Sequence, residues 1–137
     1  MIEINNLTNF ALQKKFFTGV AKKVLKGENR GMENLSIAFV VPEEMRRLNK
    51  KYRKKDKPTD VLAFEKVSNF KEEFSEVIIC PVVVRETTQH SKLPLKKELA
   101  NVLVHGILHV LGYDHEKSKA EEEKMFKKQE YYLSKIK

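Results

Sequence analysis

Three of the chain's four histidines fall inside eleven residues, His105-Gly106-Ile107-Leu108-His109-Val110-Leu111-Gly112-Tyr113-Asp114-His115, and that spacing constrains the local structure more tightly than any other feature. His105 and His109 are four apart, so on a helix they leave from one face with Cβ atoms about 5–6 Å apart. Two imidazoles so placed can meet one metal ion at about 2.0–2.1 Å. Gly112 can take the left-handed conformation that stops a helix, and the chain then turns so that His115 approaches from another side. Three neutral imidazoles with a fourth position left to water describe an open catalytic zinc site binding one ion. Nickel, copper and cobalt suit the same ligands. The plainer alternative makes His105 and His109 core histidines of an apolar helix and His115 a surface residue. Cys80 and His90 have no supporting spacing and are read as structural.

The segment follows the His-x-x-x-His-x-x-Gly-x-x-His pattern of metzincin proteases with one departure: Gly106 stands where those enzymes carry the glutamate that acts as general base. A metalloprotease-like hydrolase is therefore an alternative that lacks its proton acceptor. A metal here can instead act as Lewis acid on a phosphoryl oxygen. Asp114 is the nearest acidic candidate, either as base or ligand-orienting group or simply as a turn residue.

With 27 Lys and Arg against 19 Asp and Glu, the net charge is +8, which favours a polyanionic partner. Most of the excess lies between Arg46 and Lys57, where eight basic residues accompany a single acid, Asp56. Tyr52 there can stack on an unpaired base, Arg53 can clamp a phosphate, and Lys54 and Lys55 extend the same basic run. The alternative is a solvated helix face and loop. The terminal helix, also rich in lysine but balanced by glutamate, is read as a solvated face.

Along the chain, Ile2 and Ile4 alternate as a short strand, and Thr8 caps a helix running to about Lys26 and ended by Gly27. LSIAFVV is a strand, and Pro42 opens the helix PEEMRRLNKKYR. After a charged loop, DVLAFE reads as a second central strand, residues 66–75 as a surface excursion and EVIIC as a third buried strand. Pro81 can open a helix despite the run Val82 to Val84, a poor helix former. Pro94 starts a stronger helix that reaches toward Gly112, and an amphipathic helix follows from Glu116. No repeat or Gly/Ser linker divides the 137 residues, so one domain is expected, an α+β fold with a small mixed sheet packed by several helices. No secretory leader or bilayer-spanning run is visible, and a lone cysteine suits a reducing compartment, so a cytoplasmic protein is expected.

Taken together, HGILHVLGYDH and the upstream block Asn49 to Phe64, NKKYRKKDKPTDVLAF, resemble the signatures of the YbeY family of bacterial endoribonucleases and rRNA maturation factors. The resemblance implies a zincin-like α+β domain with the metal on a helix and the turn after it, zinc held by His105, His109 and His115, and action on single-stranded RNA. It further implies a role in maturing the 3′ end of small-subunit rRNA and in ribosome quality control, with RNA and the small ribosomal subunit as partners. Arg53 matches the family's functionally important arginine. Ser75-Glu76 stands where the family usually has Gly-Asp, and Ala63 where serine is common. A non-catalytic ribosome-assembly factor with a structural zinc is the remaining alternative.

Overall fold

The computed structural model describes residues 1–68, 73–114 and 116–136. Period-two alternation builds its centre: β1 (Ile2–Asn6) and β2 (Leu35–Phe39) pair in parallel across α1 (Lys14–Gly27). Next come α2 (Pro42–Arg53), β3 (Val61–Ser68), β4 (Glu73–Ile79), α3 (Pro81–Thr87), α4 (Leu95–Val110) and α5 (Lys119–Ser134). The sheet runs β1-β2-β4-β3, with β2 and β4 parallel and β3 antiparallel to β4. This is a mixed four-stranded α+β architecture.

Alternation assigns the two faces. Leu35, Ile37 and Phe39 of β2, with Val77 and Ile79 of β4, pack against buried residues of α1, α4 and α5 such as Phe17, Val24, Leu103, Ile107 and Met125. Ile78 and Leu62 point the other way and join Met45 of α2 and Cys80 in a smaller core. Removing a leucine-sized side chain from the larger cluster costs about 2–5 kcal/mol. Among the described residues no helix is long and apolar enough to cross a membrane.

Several elements differ from the sequence reading. The first helix starts at Lys14, with Gln13 as its unbonded cap, and Thr8 lies in a turn before it. There Asn6 Oδ1 accepts from the Thr8 amide (3.0 Å) and hydroxyl (2.6 Å), and Asn6 Nδ2 donates to the Phe10 carbonyl (2.8 Å). Side chains that bond nearby backbone compete with helix at such positions, which is why a capping residue can serve a turn instead. β3 is an edge strand rather than a central one, because it pairs with β4 alone. The expected surface excursion is largely strand: β3 extends to Ser68 past an irregularity between Phe64 and Val67, β4 begins at Glu73, and residues 69–72 lie outside the described residues. Ser75 and Glu76 sit in β4 opposite Leu35 and Ser36. α3 does form across its valines, with Pro81 in its first turn and Val84 buried against the main core. α5 begins at Lys119, capped by Ser118 Oγ, which accepts from the Glu121 amide (3.1 Å).

Candidate active site

α4 is buried nearly all round: from Leu103 to Val110 every residue is buried except His105 and His109, which are half-buried. The helix thus uses its apolar surface for the core and turns its two imidazoles, one turn apart, into a cleft. Both rings are held at Nδ1. His105 Nδ1 donates to Gln129 Oε1 of α5 (3.1 Å), and His109 Nδ1 donates to the Tyr113 carbonyl (3.2 Å). Because both partners are acceptors, Nδ1 donates in each ring, and in the neutral imidazole the lone pair then falls on Nε2, which is the tautomer a metal ligand requires. Gln129 is itself oriented by donating from Nε2 to Asn101 Oδ1.

Gly106 belongs to the close approach of α4 and the sheet. A Cβ there would lie 2.8 Å from Val77 Cγ1 and 3.4 Å from Val61 Cγ2. The place where a metzincin carries its glutamate therefore has no room for a side chain unless the buried Val77 side chain moves aside. Past the helix, Gly112 has φ +109°, a conformation glycine adopts without strain, and the reversal it makes brings the Tyr113 carbonyl back to His109.

A cleft of about 490 Å³ is lined by Arg53, Asp60, His105, Gly106, His109 and Asp114, with Thr59, Val61, Ala63 and Glu116 completing its wall. The last residue of α2, the start of β3, the face of α4 and the turn after it thus converge. Asp114 lines the cleft, and its Oδ1 accepts from the Glu116 amide (2.9 Å), so it also holds the turn. Asp60 and Thr59, joined by a hydroxyl–carboxylate bond of 3.3 Å, were not singled out in the sequence; an acid at the first position of a strand after Pro58 was the available signal. Tyr52, Lys54 and Lys55 are exposed at the end of α2 and the loop after it, outside the cleft wall. Tyr52 packs its ring edge-on to Phe64 at 5.1 Å and stays 54% exposed. Cys80 is fully buried ahead of α3, where burial pushes its thiol pKa up, and His90 is exposed between α3 and α4. His115 lies outside the described residues, and among the described residues no group of three or more metal-binding side chains gathers. His105 and His109 have the chemistry of a donor pair.

The same turn is tied to the rest of the fold through Glu28. Its carboxylate accepts from the Tyr113 hydroxyl (2.6 Å) and the Tyr132 hydroxyl and pairs with Lys128 Nζ (3.2 Å). Burial works to raise its pKa, but these three donors outweigh it and hold Glu28 below the usual carboxylate range. Burial and the Glu28 contact push Tyr113 up to about 12. A depressed carboxylate stabilises the fold at neutral pH, and the contribution is lost as pH falls through its folded pKa. Glu28→Gln is accordingly expected to cost about 1–2 kcal/mol at pH 7. Thermal denaturation from pH 7 to pH 3 should show the wild type losing stability that the variant has already lost, so the two curves converge in acid. A constant gap across that range would sink the assignment.

Residues 3–137 match the family described as Endoribonuclease YbeY. Proteins of that description are similar along most of this sequence: one from Thermotoga neapolitana is 38% identical over 106 residues, 77% of this chain and 69% of its own length. Another, from Aquifex aeolicus, is 41% identical over 111 residues, 77% of this chain and 73% of its own length. The solution structure of TM1509 from Thermotoga maritima aligns with a TM-score of 0.70 at 31% identity, covering 99% of this chain and 89% of that one. A match of that length, together with a fold shared over nearly every residue, means that this chain belongs to the YbeY endoribonuclease family.

Proposed function

We propose that the chain is a zinc-dependent endoribonuclease that cuts single-stranded RNA in the cytoplasm, acting on small-subunit ribosomal RNA during its maturation. The observation that carries this reading is the convergence of Arg53, His105 and His109 on one cleft. His105 and His109 would hold the metal through Nε2, with His115 as the third ligand. Zinc bound there supplies Lewis acidity toward a phosphoryl oxygen. Arg53 offers a planar fork that grips a phosphate through two hydrogen bonds and stabilises the charge growing on its oxygens during cleavage. Asp114 keeps the turn after α4 in place, and Asp114 and Asp60 both give the cleft wall a carboxylate that could take a proton from the attacking oxygen. Peptide hydrolysis by a glutamate-activated water is disfavoured, because Gly106 cannot be replaced by glutamate without displacing Val77.

The test offers purified protein a single-stranded RNA, an RNA duplex and casein, with metal content measured by mass spectrometry. Single-stranded RNA should be cut, the other two spared, and cutting should stop with a chelator and resume with zinc. Full-rate cleavage by chelated, metal-free protein would overturn the metal role. A zinc-bearing protein that never cuts RNA, even with ribosomes present, would point to an assembly factor.

A further inference from the structure

α5 repeats lysine on one face. Lys124, Lys128, Tyr131 and Lys135 follow one another at intervals of four, three and four, with Lys127 four before Tyr131, so they share a side of α5 and of the cap residue after it. The fold lays the last turns of α1 alongside. Lys23, Lys26, Lys128 and Lys135 surround a groove of about 540 Å³ whose floor carries Tyr131 and Tyr132. Tyr131 is 53% exposed. Gly27 makes room for that floor: a Cβ on it would stand 2.5 Å from the Tyr132 hydroxyl oxygen. None of the groove's residues belongs to the cleft wall.

Its charge is largely uncompensated. Lys128 pairs with Glu28, whose carboxylate is also bonded to Tyr113 and Tyr132. Among the described residues, Lys23, Lys26, Lys127 and Lys135 make no ion pair: Lys23 Nζ donates to the Lys135 carbonyl, and Lys135 Nζ lies 5.3 Å from the centre of the Tyr131 ring. Glu121 and Glu122 stand in the first turn of α5, where they complement the helix dipole. Lys124 and Lys127 continue the basic face beside Lys128 and Tyr131.

We propose that the groove between α1 and α5, together with the basic face that continues it along α5, is a second binding site for single-stranded RNA, outside the cleft, with phosphates on Lys23, Lys26, Lys127, Lys128 and Lys135 and an unpaired base on Tyr131. Lysines interleaved with an accessible aromatic ring match the alternation of phosphate and base along a single strand. A duplex keeps its bases stacked inside, and an acidic peptide offers charge without a planar face. The inference rests on the RNA reading above and extends it to a surface that does no chemistry.

The experiment measures binding of a labelled single-stranded oligoribonucleotide of about 20 nucleotides by fluorescence anisotropy, to the wild type, Lys26→Glu/Lys127→Glu and Tyr131→Ala. The double charge reversal should weaken binding at least about tenfold and reduce the salt dependence by about two phosphate contacts. Tyr131→Ala should weaken it by about 5- to 100-fold with the salt dependence unchanged. Lys26→Arg/Lys127→Arg should bind like the wild type, which separates lost charge from misfolding. Wild-type affinity in both Lys26→Glu/Lys127→Glu and Tyr131→Ala, while RNA is still cut, overturns the groove and leaves the cleft reading standing. Groove-dependent binding in a protein that never cuts RNA supports the groove and overturns the nuclease reading. Displacement of RNA from the wild type by polyglutamate as effectively as by unlabelled RNA would assign the surface to an acidic protein instead.

Discussion

His105→Ala and His109→Ala should each strip the protein of zinc and lower RNA cleavage by about 10³-fold or more, the equivalent of several kcal/mol of transition-state stabilisation. Each removes one of two imidazoles that one helix face presents with Nδ1 committed to an acceptor and, when the ring is neutral, the lone pair on Nε2. Neither side chain is a core element, since both are half-buried while their neighbours from Leu103 to Val110 are packed. The loss of one hydrogen bond, such as that of His105 to Gln129, costs only about 1 kcal/mol, so the variants should fold and melt close to the metal-free wild type. Zinc per chain by mass spectrometry, circular dichroism and cleavage of a labelled RNA separate the effects. Full activity with full zinc in His109→Ala would remove that residue from the site. Gln129→Leu provides a graded companion: freeing the His105 ring should weaken zinc affinity by about 10- to 100-fold, read by chelator competition without any RNA present.

The helix bearing the histidines was legible because two independent periodicities, apolar burial and the four-residue histidine interval, agree on it. Its end was legible too, since Gly112 takes the positive φ that the break required. What the sequence conceals is partnership. Alternation in DVLAFE tells which side chains share a face but not which strand lies alongside, so β3 could be read as central although it closes the sheet edge. Gly106 reads in one dimension as a missing glutamate, whereas in three it marks the contact of α4 with Val77. The basic stretch loses part of its charge locally: Arg46 bonds Asp56 at 2.7 Å, and Arg47 bonds Glu44 at 2.7 Å from outside the stretch. Conversely, the lysines of α5 looked balanced by glutamate in sequence, and only the fold adds Lys23 and Lys26 to the same groove. Asp60 went unnoticed because the histidines that share its cleft are distant in the chain.

Arg53→Ala should lower kcat for RNA cleavage by about 10²- to 10³-fold while leaving zinc content at the wild-type level. The end of α2 is built to present this guanidinium. Lys54 takes the left-handed cap conformation at φ 59°, its amide bonds the Lys50 carbonyl at 3.1 Å, and the Lys55 amide bonds the Asn49 carbonyl at 3.3 Å. Asn49, only 2% exposed, then fastens the loop by donating from Nδ2 to the Lys57 carbonyl (2.8 Å). Among the described residues Arg53 itself has no ion pair, in contrast to Arg46 and Arg47, so its fork is not already committed to a carboxylate. A rigid anchor and an uncommitted head group suit a side chain whose contact strengthens as charge grows on phosphate. Arg53→Lys keeps the charge but not the two-pronged geometry and should recover only part of the rate. If Arg53 served binding alone, KM would rise with kcat intact, and a lysine would restore most of it. A fall in kcat that lysine cannot repair assigns Arg53 to the transition state, and single-turnover cleavage at saturating RNA is the measurement that separates the two.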